Sequence, residues 1–120
     1  MGEEKEMIDE KEYYDTHYAE MDVQPIEVTQ EMNTRNQFRG FLFGNMVKYY
    51  MRAGHKQGES REKDMRKFEH YMEWYIMAMQ FKHIDPRIPA PPVKPEVRQG
   101  IINQIEKTIA RMRRQRACEQ

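Results

Sequence analysis

The sequence predicts an all-α fold on three observations. Apolar residues recur at helical spacing in three separate segments, helix-start residues stand ahead of the segments, and no strong strand or internal repeat competes with them. The expected architecture is a small helical domain with a central helical hairpin, a proline-rich linker and a C-terminal helix. A first short helix opens at Gln24-Pro25-Ile26-Glu27, where Pro25 is tolerated in the first turn, and ends near Asn33. Val23 to Val28 carries the one competing strand tendency.

The second helix is expected from about Gln37 to Arg52, with Asn33, Thr34 and Asn36 available as caps. Phe38, Leu42, Met46 and Tyr49 form its apolar stripe, and Phe41, Phe43, Val47, Tyr50 and Met51 extend that character nearly all round. Such a helix should be buried, in the monomer or between subunits. Gly54 and Gly58 mark a turn that holds His55 and Lys56. Ser60 then caps a third helix over about 61–82, whose apolar face is Met65, Phe68, Met72, Ile76 and Met79. Pro86 to Pro95 reads as a stiff, extended linker. A last helix over about 96–116 places Ile102, Ile105, Ile109 and Met112 on one face. These divisions give an acidic segment (1–16), a helical core (17–85), a linker (86–95) and a basic C-terminal helix (96–120).

Length fits one domain. No run of about 18 apolar residues exists to span a membrane. The acidic start offers no secretory signal. One cysteine, Cys118, cannot form an internal disulfide, which fits a reducing compartment. Net charge is zero, yet residues 1–22 hold nine acids against Lys5 and Lys11, and the last twenty residues are basic. That polarity can pair subunits, pair the two ends of one chain, or simply leave both ends solvated. Nucleic acid is disfavoured as a partner, because the basic patch is confined to the tail. The eleven methionines lie mostly on helical apolar positions, as core fillers do.

Phosphate loops of the G-x-x-x-x-G-K-S/T and G-x-G-x-x-G kinds are absent, as are H-E-x-x-H and G-x-S-x-G. What remains is a polar set on apolar helices. Asn45, Lys48 and Arg52 are spaced i, i+3, i+7, and so are Asp64, Lys67 and Tyr71. A lysine on a helix that is apolar all round is costly unless it meets an anion. Were the two helices to form a hairpin, Lys48, Arg52, Lys56 and Lys67 would converge beside Asp64 and Tyr71. Four cations with a carboxylate suit a phosphorylated ligand, with or without a divalent metal. A structural reading competes: Asp64 pairs with Lys67 or Lys48, and Arg52 caps its helix.

Four ordered blocks add a resemblance. They are His17-Tyr18; Gln24-Pro25-Ile26-Glu27; Gly44-Asn45 with Lys48-Tyr49, Arg52 and Lys56; and Asp64 with Lys67 and Tyr71. Over roughly residues 17 to 76 the chain resembles a phage domain family of unknown function that includes a nucleotide kinase lacking a P-loop. The resemblance implies nucleotide binding and phosphoryl transfer to a (deoxy)nucleoside monophosphate, with ATP or another nucleotide as donor and Mg²⁺ as cofactor. It implies phosphate contacts from Asn45, Lys48, Arg52, Lys56 and Lys67, and base stacking by Tyr18, Tyr49 or Tyr71. Glu27 or Asp64 would hold the metal through water, and His17 and Asp64 are the catalytic candidates, His17 to orient the acceptor phosphate or carry a proton. It also implies the cytoplasm of an infected bacterial host. The chain departs from the family pattern in a longer turn between Lys56 and Asp64, and in Phe68, where a small residue is common. Two other classes stay open: a non-catalytic nucleotide sponge, and a structural or interaction protein. A homo-oligomer is expected, because so short a chain covers an all-round apolar helix with difficulty. The last helix is expected to contribute to it by reaching a neighbouring subunit across the proline-rich spacer, the alternative being that it folds back on its own domain.

Overall fold

A computed structural model describes residues 18, 20–53, 55 and 60–119. Among them lie four helices and no strand, so the fold is all-α. The stretch after Val23 enters a helix because Pro25 and Glu27 fix its start. Helix α1 (Pro25–Met32) starts at Gln24, whose N–H donates to Glu27 Oε2 at 2.8 Å in a capping box, with Pro25 in the first turn. Helix α2 (Arg35–Arg52) starts at Thr34, which exchanges hydrogen bonds with Gln37 at 2.9 and 3.2 Å. Helix α3 (Arg61–Met79) starts at Ser60, whose Oγ accepts from the Lys63 N–H at 3.1 Å. Helix α4 covers Pro95–Glu119. None is long and apolar enough to cross a membrane.

The α2–α3 pair is the central unit. Its core is Phe38, Leu42 and Met46 from α2 against Phe68, Tyr71, Met72 and Trp74 from α3. Phe38, Leu42 and Met46 on α2, and Phe68 and Met72 on α3, recur every four residues and so share one side of each helix. Only one face of α2 is buried in the chain. Phe41, Phe43 and Met51 keep 38, 37 and 48% of their surface exposed, so the apolar character all round the helix does not translate into burial within the monomer. On α3 the buried arc is wider than the methionine stripe. His70 packs on Trp74 at 3.9 Å between ring centroids, whereas Met79 is exposed.

Helix α3 stops three residues short of the expected end. The Phe81 N–H bonds to the Ala78 carbonyl and the Lys82 N–H to the Met77 carbonyl, both at 3.0 Å, which closes a Schellman motif. The left-handed position of that motif, normally glycine, is held here by Phe81 (φ 61°).

The proline-rich stretch is extended but anchored at its entrance. Ile84 is fully buried, and its backbone exchanges two hydrogen bonds with the Gln30 side chain, at 2.9 and 3.0 Å. Arg87 grips Glu27 bidentately at 2.9 and 3.1 Å and also bonds the Asp22 carbonyl and Asp85. The Arg87 guanidinium, then the Gln24 N–H, hold the Glu27 carboxyl below the ordinary carboxylate range. The stretch therefore returns α4 onto its own hairpin. Ile105 is buried, with Ile101, Ile102 and Ile109 packed beside the core, while Met112 stays exposed. Arg98 pairs with Glu69 at 2.8 Å, and the Tyr50 hydroxyl donates to Glu106 at 3.0 Å.

Candidate functional site

The hairpin brings its two polar faces together around one ring. Tyr49, half-buried on α2, has Lys48 Nζ at 4.6 Å from its centroid, Arg52 Cζ at 5.2 Å, and Lys67 Nζ of α3 at 5.2 Å. No two of these cations are therefore more than about 10 Å apart. None has a salt bridge among the described residues. Each cation–π contact offsets about 0.5–1 kcal/mol at such exposure. Three like charges around one tyrosine still repel at a separation within a Debye length. An anion placed among them relieves that repulsion, and a phosphate offers enough acceptor oxygens to meet several donors at once.

Asp64 occupies the first turn of α3, one turn before Lys67 and two before Tyr71, hence on their face of the helix. It is completely buried, and neither carboxyl oxygen has a hydrogen-bond partner among the described residues. The pairing of Asp64 with Lys48 or Lys67, open on spacing alone, is not formed. Arg52 lies over Tyr49. A buried polar group left unpaired costs about 1–3 kcal/mol. Such a cost is tolerated where a ligand or metal supplies the missing contacts.

Tyr71 joins this cluster to an aromatic pocket. It stacks on Tyr49 at 5.7 Å with 13° between the planes, meets Phe41 edge-on at 6.5 Å, and stands perpendicular to Trp74 at 5.7 Å. Behind it, Tyr18, Ile26, Phe41, Tyr71 and Trp74 line a pocket of about 80 Å³. Aromatic surface thus lies on one side of Tyr71 and cationic surface on the other.

The other expected residues divide. Asn45 is half-buried and donates from Nδ2 to the Phe41 carbonyl at 2.9 Å, leaving its oxygen to accept. Glu27 is engaged by Arg87 and by the α1 cap, so nothing in its contacts brings it to Asp64. His17 and Lys56, with Gly54 and Gly58 of the turn, lie outside the described residues. Among the described residues no group of three acids, histidines or cysteines is placed to hold a metal. Trp74 and Phe41 are pocket residues that the polar motifs did not mark. Trp74, three positions beyond Tyr71, could have been found from helical spacing.

A family model described as a protein of unknown function (DUF3310) matches residues 13–73, half of the chain. The chain belongs to the DUF3310 family. That match spans α1, α2 and most of α3, and so contains every described member of the cationic cluster, Asp64 and Tyr71. The chain is also similar to "Nucleotide kinase gp1.7" of Escherichia phage T7. The two are 40% identical over 62 residues, which cover 50% of this chain and 32% of the phage protein. "Gene 1.7 protein" of Enterobacteria phage T3 is 39% identical over 61 residues, 49% of this chain and 37% of its own length. The chain thus spans about a third of the length of these two relatives. No solved structure matches.

Proposed function

We propose that this DUF3310 protein binds a nucleotide on the α2–α3 hairpin and transfers a phosphoryl group to a (deoxy)nucleoside monophosphate. The observation that carries the reading is the set of Lys48, Arg52 and Lys67 around Tyr49, without salt bridges among the described residues, with the buried, unpaired carboxyl of Asp64 one turn before Lys67 on α3. The kinase name of the T7 relative supports the same reading.

Phosphoryl transfer asks mainly for positioning and charge neutralisation. Lys48, Arg52 and Lys67 supply the charge, with Lys56 as a further phosphate contact and the Asn45 oxygen as an acceptor. Tyr71 and the pocket behind it supply a surface on which a base can stack. Asp64 fits Mg²⁺, which is held by one or two carboxylates together with substrate phosphates. When bound, the metal would neutralise developing charge on the transferred group. ATP or another nucleotide is the proposed donor, and His17 the proposed acceptor-orienting or proton-carrying group. The proposed setting is the cytoplasm of an infected bacterium.

The test is incubation of the purified protein with ATP, Mg²⁺ and each deoxynucleoside monophosphate in turn, with separation of the products. Appearance of diphosphates that is lost in Lys48→Ala supports the reading. Tight nucleotide binding with no turnover of any monophosphate would replace it with a non-catalytic nucleotide sponge.

A further inference from the structure

A second basic pocket lies at the other end of α2, and nothing in the proposed kinase chemistry uses it. It encloses about 430 Å³ between the end of α1, the start of α2 and the turn after α3. Arg35, Arg39, Lys82 and His83 stand on its wall, with Glu31 as the acid among the described lining residues. Arg35 Cζ lies 5.4 Å and Arg39 Cζ 4.8 Å from the centroid of the Phe81 ring. Neither arginine has a salt bridge among the described residues, and the Arg39 Nε is buried without an acceptor.

Two features of the local sequence run against ordinary helix economy. Both arginines sit near the positive end of the α2 dipole, and the first turn of α2 carries no acid to offset them. Phe81 holds the left-handed position of the Schellman turn, which glycine fills without strain, and presents 66% of its surface to solvent. An exposed aromatic in a strained conformation, under two arginines that lack carboxylate partners, is an arrangement expected of a binding site.

We infer that this pocket is a second phosphate site that takes a mononucleotide-sized ligand. Arg35, Arg39 and Lys82 would meet the phosphates, the Phe81 ring would face the base, and Glu31 would accept from sugar hydroxyls or an exocyclic amine. The volume falls in the range of small-molecule pockets. The site is separate from the hairpin cluster. Arg39 and Lys48 are nine residues apart on α2, roughly 13 Å along its axis. Nine residues at about 100° each also put the two side chains on opposite sides of α2. A ligand held by Arg39 and Phe81 therefore faces away from Lys48, whereas phosphoryl transfer needs reacting atoms about 3–3.5 Å apart. The inference stands whether or not the hairpin is catalytic.

The experiment is an amide chemical-shift map of the full chain titrated with ADP to millimolar concentration. Shifts are expected at residues 30–39 and 80–84, and they persist in the Lys48→Ala/Arg52→Ala variant. Arg35→Ala/Arg39→Ala weakens them at least tenfold. Phe81→Gly, which keeps the turn and removes only the ring, weakens ADP more than pyrophosphate. Shifts confined to residues 45–52 and 64–71 in the wild-type protein, or none at residues 30–39 and 80–84, overturn the inference. That wild-type map decides the matter even if the arginine variant does not fold.

Discussion

Replacing Asp64 with alanine should stabilise the ligand-free protein. The side chain is fully buried and both of its carboxyl oxygens are unpaired among the described residues, a defect worth about 1–3 kcal/mol. Alanine also gains roughly 0.5 kcal/mol of helix propensity over aspartate. Against this stand the loss of an acid from the first turn of α3, about 0.3–1 kcal/mol, and a small cavity left by the carboxyl group, on the order of 0.5 kcal/mol. The balance is a gain of about 1 kcal/mol, or roughly 4 °C in Tm for a domain of this size. The assay is scanning calorimetry with and without Mg²⁺ plus nucleotide. The apo transition should rise in Asp64→Ala, and the upward shift caused by Mg²⁺ plus nucleotide should shrink. The opposite sign would refute the reasoning. Breaking a genuine buried ion pair costs about 3–5 kcal/mol, so an apo protein strongly destabilised by the change, with its ligand response intact, would return Asp64 to a structural role.

Four further outcomes follow from the same geometry. Asp64→Asn should reduce turnover more than nucleotide binding, measured as kcat against Kd, because the amide keeps the shape but not the metal-binding chemistry. Lys48→Ala and Arg52→Ala should each weaken nucleotide binding at least tenfold, the loss of one charge-assisted contact of about 1.5–3 kcal/mol, with unchanged circular dichroism; wild-type affinity in both would remove the phosphate site from the hairpin. Ile105→Ala should cost about 2–4 kcal/mol in denaturant unfolding, since α4 seats this fully packed side chain on the core. The Glu27–Arg87 pair sets a pH dependence. The folded-state value of Glu27 lies below its ordinary 4.5, so its contribution is present above that value and is lost as pH falls through the lowered one. Arg87→Ala should therefore move the acid-unfolding midpoint to higher pH, and an unmoved midpoint would show the pair to be inert.

The helices were legible because their signals are local. Thr34 and Ser60 cap α2 and α3, Pro25 opens α1, and the 3.6-residue stripes around Leu42, Phe68 and Ile105 all point inward. The end of α3 was misplaced because no glycine announces it; Phe81 takes the conformation that a glycine would. Composition predicts only a stiff, extended linker, because the anchors that fix its course, Glu27 for Arg87 and Gln30 for Ile84, lie more than fifty residues away in sequence. Helical spacing placed Lys48, Arg52, Lys67, Asp64 and Tyr71 on facing surfaces, and the hairpin gathers the cations on Tyr49. Spacing could not show that Asp64 is buried without a partner, nor that Arg35 and Arg39 meet Phe81, because both depend on how α3 docks and terminates.

Self-association is the proposal most changed by where α4 lies. The expectation joined two ideas: an α2 helix too apolar for one small chain to cover, and a last helix reaching a neighbour. In the chain, α4 turns Ile102, Ile105 and Ile109 onto its own hairpin, tied by Arg98 to Glu69 and by Tyr50 to Glu106. Yet Phe41, Phe43 and Met51 remain well exposed on α2. The family match ends at residue 73, so the cover that Trp74, Ile84 and Ile105 give the core comes from outside it. The described cationic cluster, Asp64 and Tyr71 therefore lie within the matched hairpin, and much of the cover comes from residues beyond the match. An interface between copies is then expected on the outer face of α2 rather than through α4. Light scattering at several concentrations should show an oligomer that Phe43→Glu disperses. A wild-type protein that stays monomeric throughout would mean that the exposed face of α2 is simply solvated, as scattered apolar side chains on soluble proteins often are.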